Sequence, residues 1–222
     1  SIDMAIHLGD YLYEYKQGEY ATENSISLNR QPIPNKEIIT LSDYRQRHAQ
    51  YKSDMDLQKL HSTKPVLCAW DDHEITNDAW KNNAENHQLN EGSFSQRKRN
   101  AIKAYYEWMP VREPKISFNN WKRYKIGKLI DLKLLETRIS SRSKQVNLND
   151  YIKDGKNFQK EAFLKELNNK KRSLIGKKQL DFIKENDLND QTWNLYAQQV
   201  LLATLKLPTI SVSIIDELPE YQ

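Results

Sequence analysis

Apolar positions along this chain fall in short runs separated by long polar stretches. Residues 2–8 (Ile-Asp-Met-Ala-Ile-His-Leu) form the first run of strand length, and it ends at Gly9-Asp10. Residues 11–39 are polar and carry Gly18, Pro32 and Pro34, which predicts a long excursion without regular structure. Ser42-Asp43 can cap a helix over Tyr44–Lys52, and a shorter helix covers Asp54–His61. Pro65–Trp70 is the second strand-length run. It stops abruptly at Asp71-Asp72-His73-Glu74, and a polar loop follows over 77–92. Ser95–Met109 is helical, with Ala101, Ala104, Tyr105 and Trp108 on one side and Pro110 as the stop. Asn120–Ile126 and Lys128–Thr137 read as strands flanking Gly127. In the second, Ile130, Leu132 and Leu134 alternate with Asp131 and Lys133, one face inward and one outward. Residues 158–169 and 177–186 are amphipathic helices, Trp193–Leu202 is a further strand, and 203–222 carries no stop signal. Short buried strands mixed with helices define an α/β class.

Both early strands end in carboxylates, Asp10 and Asp71/Asp72. Loops beyond the carboxyl ends of strands in open α/β sheets gather ligands from distant parts of the chain. Hard oxygen donors at two such ends point to a metal site suited to Ca, Mg, Mn or ferric iron. In Gly9-Asp10-Tyr11-Leu12-Tyr13-Glu14-Tyr15, Gly9 permits a sharp exit and Tyr13 can turn back to the metal that Asp10 holds. A phenolate ligand needs a strong Lewis acid, because a tyrosine proton leaves only near pH 10. The other reading is a strand-end Asp capping a turn among ordinary packed tyrosines. In Trp70-Asp71-Asp72-His73-Glu74, adjacent acids repel unless a cation is near, and one of them can bind metal while His73 donates to substrate as hydrogen-bond donor or general acid. Here the alternative is a solvated loop with Asp72 as a helix N-cap.

Composition narrows the field. The 222 residues hold 38% hydrophobic side chains, five Trp and twelve Tyr, enough to build one domain with a core. No run approaches the roughly 18 apolar residues of a membrane span. The single cysteine, Cys68, excludes an internal disulfide framework and a cysteine-cluster metal site, and its apolar neighbours predict a buried thiol. Six glycines and no GxGxxG or Walker pattern argue against the common nucleotide folds. The net charge of +4 comes from 34 basic and 30 acidic residues of interspersed sign, so Arg97-Lys98-Arg99, Lys122-Arg123 and Lys170-Lys171-Arg172 read as solvated faces rather than a nucleic-acid surface. His48, His61 and His87 lack partners at metal spacing and read as satisfied structural or surface histidines.

Taken in order, His7–Tyr15, Tyr44-Arg45-Gln46-Arg47-His48-Ala49-Gln50-Tyr51 and Trp70–Glu74 resemble the PhoD-type alkaline phosphatases of the metallophosphatase superfamily. Tyr105–Arg112, Leu135-Glu136-Thr137-Arg138, Leu174–Gln179 and Gln198-Gln199-Val200 continue the match to about residue 200. The resemblance implies a partial metallophosphatase-type β-sandwich flanked by helices, in one incomplete domain over 1–222. It also implies ferric iron and calcium as cofactors and hydrolysis of phosphate monoesters and diesters by a metal-held hydroxide or oxide. Under it, Asp10 is the bridging carboxylate, Tyr13 the phenolate on iron and Asp72 a metal ligand, with Asp71 as a further ligand. His73 contacts the phosphate and assists the leaving oxygen, and Arg45 is the phosphate-binding arginine, its other reading being a surface arginine paired with Asp43 or Asp54. Glu136 stands where the family has Asp. The family's upstream cysteine ligand and its C-terminal Gly-Asp-x-His-like segment fall outside Ser1–Gln222, so the chain reads as a piece of a longer enzyme, of low or no activity by itself. Export to the periplasm or exterior of a bacterium is the compartment the family implies. The competing reading is a non-catalytic phosphate- or polyanion-binding domain.

Overall fold

The computed structural model describes residues 2–20, 22–116, 118–154, 157–185 and 191–202. The expectation for 203–222 lies outside them. The described residues fall into two compact units, one within 2–144 and 174–199 and the other within 145–173 and 200–202.

In the first unit, β1 (Ala5–His7) and β2 (Val66–Cys68) pair in parallel, Ala5 opposite Val66 and His7 opposite Cys68. Both are shorter than the apolar runs that contain them. The excursion 11–39 has no regular element, as its prolines and polarity require. Helix α1 (Leu41–Lys52) starts earlier than Ser42-Asp43 suggested. Thr40 is its N-cap, and Asp43 answers from the third helical position in a capping box. Asp54 caps α2 (Met55–Thr63), and Ser93 caps α3 (Phe94–Trp108), which ends two residues before Pro110. Helix α3 packs on α1. Leu12, Ile38, Tyr44, Trp70, Ile75 and Tyr105 are among the buried residues of the apolar core between strand exits and helices. Cys68 is buried with them.

Strands β3 (Lys122–Ile126) and β4 (Ile130–Leu134) form an antiparallel hairpin, and β7 (Trp193–Ala197) adds to β4 in parallel. The alternation expected along β4 fails, because Asp131 and Lys133 are as buried as Leu132 and Leu134. Their charges are matched rather than hydrated: Asp131 accepts from Arg123 at 2.8 and 3.0 Å and from Lys133 at 3.0 Å. Helix α5 (Gly176–Glu185) buries Gln179, whose amide makes a reciprocal pair with the backbone of Glu136, at 2.8 and 2.7 Å.

Two further expectations are corrected. Arg97 does not belong to a solvated face: it is buried and donates to the Tyr44 hydroxyl, Glu37, Glu91 and the Asn86 carbonyl. Its Cα sits on the core side of α3, so the side chain reaches inward to acids on two loops. His48 is buried against Trp108 with neither ring nitrogen hydrogen-bonded among the described residues, and burial lowers its pKa to about 3.

In the second unit, β5 (Ile152–Lys153) and β6 (Asn157–Phe158) pair antiparallel, and α4 (Lys160–Leu167) follows. Phe163 of α4 meets the rings of Tyr151 and Phe158 at about 5.5 Å, a small aromatic cluster holding short elements.

Candidate metal centre

The parallel pairing of β1 and β2 brings Gly9-Asp10 and Trp70-Asp71 out of the sheet side by side. They come so close that a Cβ on Gly9, whose φ is +106°, would collide with the backbone nitrogen and Cβ of Asp71. Asp10 itself takes a left-handed conformation, φ 56°. Asp tolerates that region better than most residues, and it aims the carboxylate off the strand axis. Glu74 then ties the exits together. Its carboxylate accepts the backbone N–H groups of Asp71 at 2.7 Å, Asp10 at 3.1 Å and Tyr11 at 2.5 Å. Burial pushes the Glu74 pKa up to about 8, against the pull of those N–H bonds. No helix follows Asp72, so the N-cap reading of this acidic run fails; residues 72–75 are a turn closed by Ile75 N–H on the Asp72 carbonyl.

One donor atom each from Asp10, Asp72 and His73 lies within 4.8 Å of the others. Asp10 Oδ1 is buried without a hydrogen-bond partner among the described residues, while Oδ2 accepts from the Tyr13 hydroxyl at 3.3 Å. A buried carboxylate oxygen without a donor is costly, which is the condition a cation relieves. Burial, reinforced by the Asp72 charge, raises the Asp10 pKa, with His73, Tyr13 and Arg138 opposing. The two carboxylates are donors for a hard multivalent cation, so Asp10 and Asp72 fit the metals that the sequence implied. Tyr13 sits where it can join Asp10. Burial and the Asp10 charge hold its phenol well above the ordinary pKa, so it remains a proton donor unless a strong Lewis acid displaces that proton.

His73 is oriented from behind. Its Nδ1 meets Glu14 Oε2 at 2.7 Å, and Glu14 is fully buried, accepting also from Asn77 N–H, Asn86 Nδ2 and Thr76 Oγ1 at 2.7–3.0 Å. Burial would lower the His73 pKa, but the Glu14 hydrogen bond and charge, with Asp72 and Asp10 behind them, raise it. Glu14 therefore favours an imidazolium with Nδ1–H committed, leaving Nε2–H as the second donor.

Asp71 is not one of the three. Arg138 forks onto it, Nε to Oδ1 and a terminal nitrogen to Oδ2 at 3.2 Å, so both of its oxygens sit in an ion pair. Arg138 also approaches Asp72 at 3.2 Å and Asp78 at 3.5 Å, serving as the guanidinium of the whole acidic loop. Glu136 explains how it is held. The Glu136 carboxylate accepts Trp70 Nε1–H at 3.0 Å and the backbone N–H groups of Arg138, Ile139 and Ser140 at 2.8 Å. Arg45 is elsewhere: its guanidinium is half exposed and engages Glu107 of α3 at 2.7 Å on two nitrogens, neither Asp43 nor Asp54 being its partner. In this geometry it is a helix-to-helix fork and does not reach the cluster. Sequence reading thus gave no role to Glu14 or Arg138, although both stood in quoted motifs. The signal was an acid set between two tyrosines, and an arginine shortly after a strand.

Comparison with known proteins decides the family of the chain that carries this site. A family model described as PhoD-like phosphatase matches residues 1–216. The chain belongs to the PhoD-like phosphatase family. It is 36% identical over 208 residues to alkaline phosphatase D of Bacillus subtilis (strain 168), covering 91% of this chain and 33% of that protein. A solved structure titled "Structure of PhoD" superposes with a TM-score of 0.74 at 34% identity, over 92% of this chain and 37% of that one. This PhoD-like chain therefore spans about a third of the length of the curated relative it matches. The mixed α/β class is that of the PhoD match, and no helix among the described residues is long and apolar enough to cross a membrane.

Proposed function

We propose that this PhoD-like chain carries part of the centre of a metal-dependent phosphoric ester hydrolase acting on phosphate monoesters and diesters. The observation that supports it best is Asp10 Oδ1, a buried carboxylate oxygen without a hydrogen-bond partner among the described residues, beside donor atoms of Asp72 and His73 within 4.8 Å. Asp10 and Asp72 hold the metal, with Tyr13 as phenolate on ferric iron and calcium as the companion ion. Bound cations supply Lewis acidity to phosphoryl oxygens and lower the pKa of water. His73, kept charged by Glu14, donates through Nε2 to a phosphoryl or leaving oxygen. Arg138 keeps Asp71 and Asp72 in place without taking the lone pairs of Asp10. Export across a bacterial membrane is the setting we infer from the family.

Elemental analysis of the purified chain after equilibration with calcium and ferric iron tests this. Near-stoichiometric metal, lost in Asp10→Asn, is expected, and any turnover of p-nitrophenyl phosphate is expected to be lost with it. Metal retained in Asp10→Asn would sink the ligand assignment. Phosphate binding that needs no metal and survives Asp10→Asn would favour the non-catalytic reading.

A further inference from the structure

Residues of the 11–39 excursion, together with α1 and α2, enclose a cavity of about 930 Å³, at the upper end of the roughly 300–1,000 Å³ usual for small-molecule sites. Tyr13, Tyr15 and Tyr20 line it, and all three rings lie against His73, with centroids at 4.2, 5.7 and 6.5 Å. Tyr13 belongs to both places, because its hydroxyl donates to Asp10. The cavity therefore begins one side chain away from the candidate centre.

Its charges are already committed. Arg47 spends its guanidinium on the backbone carbonyls of Tyr13, Tyr15, Ile33 and Pro34. Arg30 is paired with Asp54 at 2.5 Å. Glu23 and Asp56 on the lining would repel a further phosphate. Leu28, Leu57 and Leu60 add apolar surface. Tyr20 is 63% exposed, a large ring whose face is not consumed by the core. A neutral group with a flat face suits such a lining, since ring stacking adds to area burial while no cation waits for a second anion.

Resting on the hydrolase reading above, we propose that this cavity receives the alcohol side of the ester. Tyr20 is its specificity-determining residue, selecting an alcohol that carries an aromatic ring, aryl or nucleobase, over a small aliphatic one or one bearing further phosphates.

Calorimetric titration of the protein, equilibrated with calcium and ferric iron, with phenylphosphonate and with methylphosphonate tests it without turnover. The phenyl compound is expected to bind at least about tenfold more tightly, and Tyr20→Ala to cut that margin about three- to tenfold while Tyr20→Phe keeps it. Equal binding of the two phosphonates, binding of neither, or a margin unchanged in Tyr20→Ala would overturn the proposal. The metal content of the unmodified protein and of Asp10→Asn is read in parallel. Metal lost in Asp10→Asn together with equal phosphonate binding defeats the cavity proposal alone, whereas metal retained in Asp10→Asn together with the phenyl margin defeats the hydrolase reading alone.

Discussion

Two sheets of this molecule bury acids, and they treat them in opposite ways. In the β3–β4–β7 sheet, Asp131 is met by Arg123 and Lys133, and Lys133 also donates to Asn194 at 3.0 Å. The guanidinium and ammonium groups hold the Asp131 carboxyl below the usual range, the hydrogen bond from Arg123 first. At the exits of β1 and β2, burial raises the Asp10 carboxyl pKa, and one of its oxygens has no donor among the described residues. Arg138 attends Asp71 and Asp72, and Tyr13 offers Asp10 only a long contact. A buried acid with its own cations stabilises a fold. One left with an open lone pair is a place where something else binds.

The same charge removal should therefore give opposite results in the two sheets. Asp131→Asn takes the carboxylate from Lys133 and Arg123 and is expected to cost about 1–3 kcal/mol in urea unfolding. Asp10→Asn, measured without metal, is expected to leave stability equal or higher, while metal affinity falls more than about 100-fold, the upper figure for outer-shell changes. A loss of metal-free stability in Asp10→Asn as large as in Asp131→Asn would erase the distinction.

Glu14→Gln sharpens it from the second shell. The amide keeps an acceptor for Asn77 N–H but weakens the grip on His73 Nδ1 and removes the charge that keeps the ring protonated. Turnover of a phosphate ester is expected to fall about 10–100-fold. Comparison of kcat with the thermal midpoint in one preparation checks it, and a midpoint collapse with unchanged kcat would make Glu14 purely structural.

The smallest expected effect concerns His48, a buried group that no ligand rescues. Its pKa of about 3 lies below the ordinary value of 6.5, so the unfolded chain takes up a proton that the folded one refuses. Its contribution is full above pH 6.5 and declines as pH falls toward 3, by about 1.4 kcal/mol per pH unit. His48→Phe should flatten that part of the unfolding profile against pH while keeping the stack on Trp108. An unchanged slope between pH 6 and 4 would show that His48 is not the group responsible.

Much of the scaffold was readable along the chain because its signals are local. Apolar runs ending at Gly9-Asp10 and Trp70-Asp71 marked the two strand exits, and Pro110 marked the end of a helix. Misreadings came where a distant partner overrode the local pattern. Lys133 and Arg97 look like solvent-facing residues until the acids beside them are seen, because a charge may be buried only where the fold supplies its counter-charge. The capping of α1 shifted for a lesser reason, Thr40 and Asp43 forming a reciprocal pair that Ser42 does not.

For the centre itself, the sequence by itself determined which residue types were available: two strand-end acids, a tyrosine three residues on, and a histidine among carboxylates. It also carried the ordered motifs that mark the family. Only the tertiary structure decided which of these groups share a place. Asp10 and Asp72 are 62 positions apart and meet because β1 and β2 pair in parallel. Asp71, adjacent to Asp72, is turned away to Arg138, and Arg45 is drawn to Glu107. Neighbours in a loop point in different directions, and a carboxylate or guanidinium goes to whichever opposite charge the fold brings within hydrogen-bond distance. That distance is a property of the packed chain, and no spacing along the sequence encodes it.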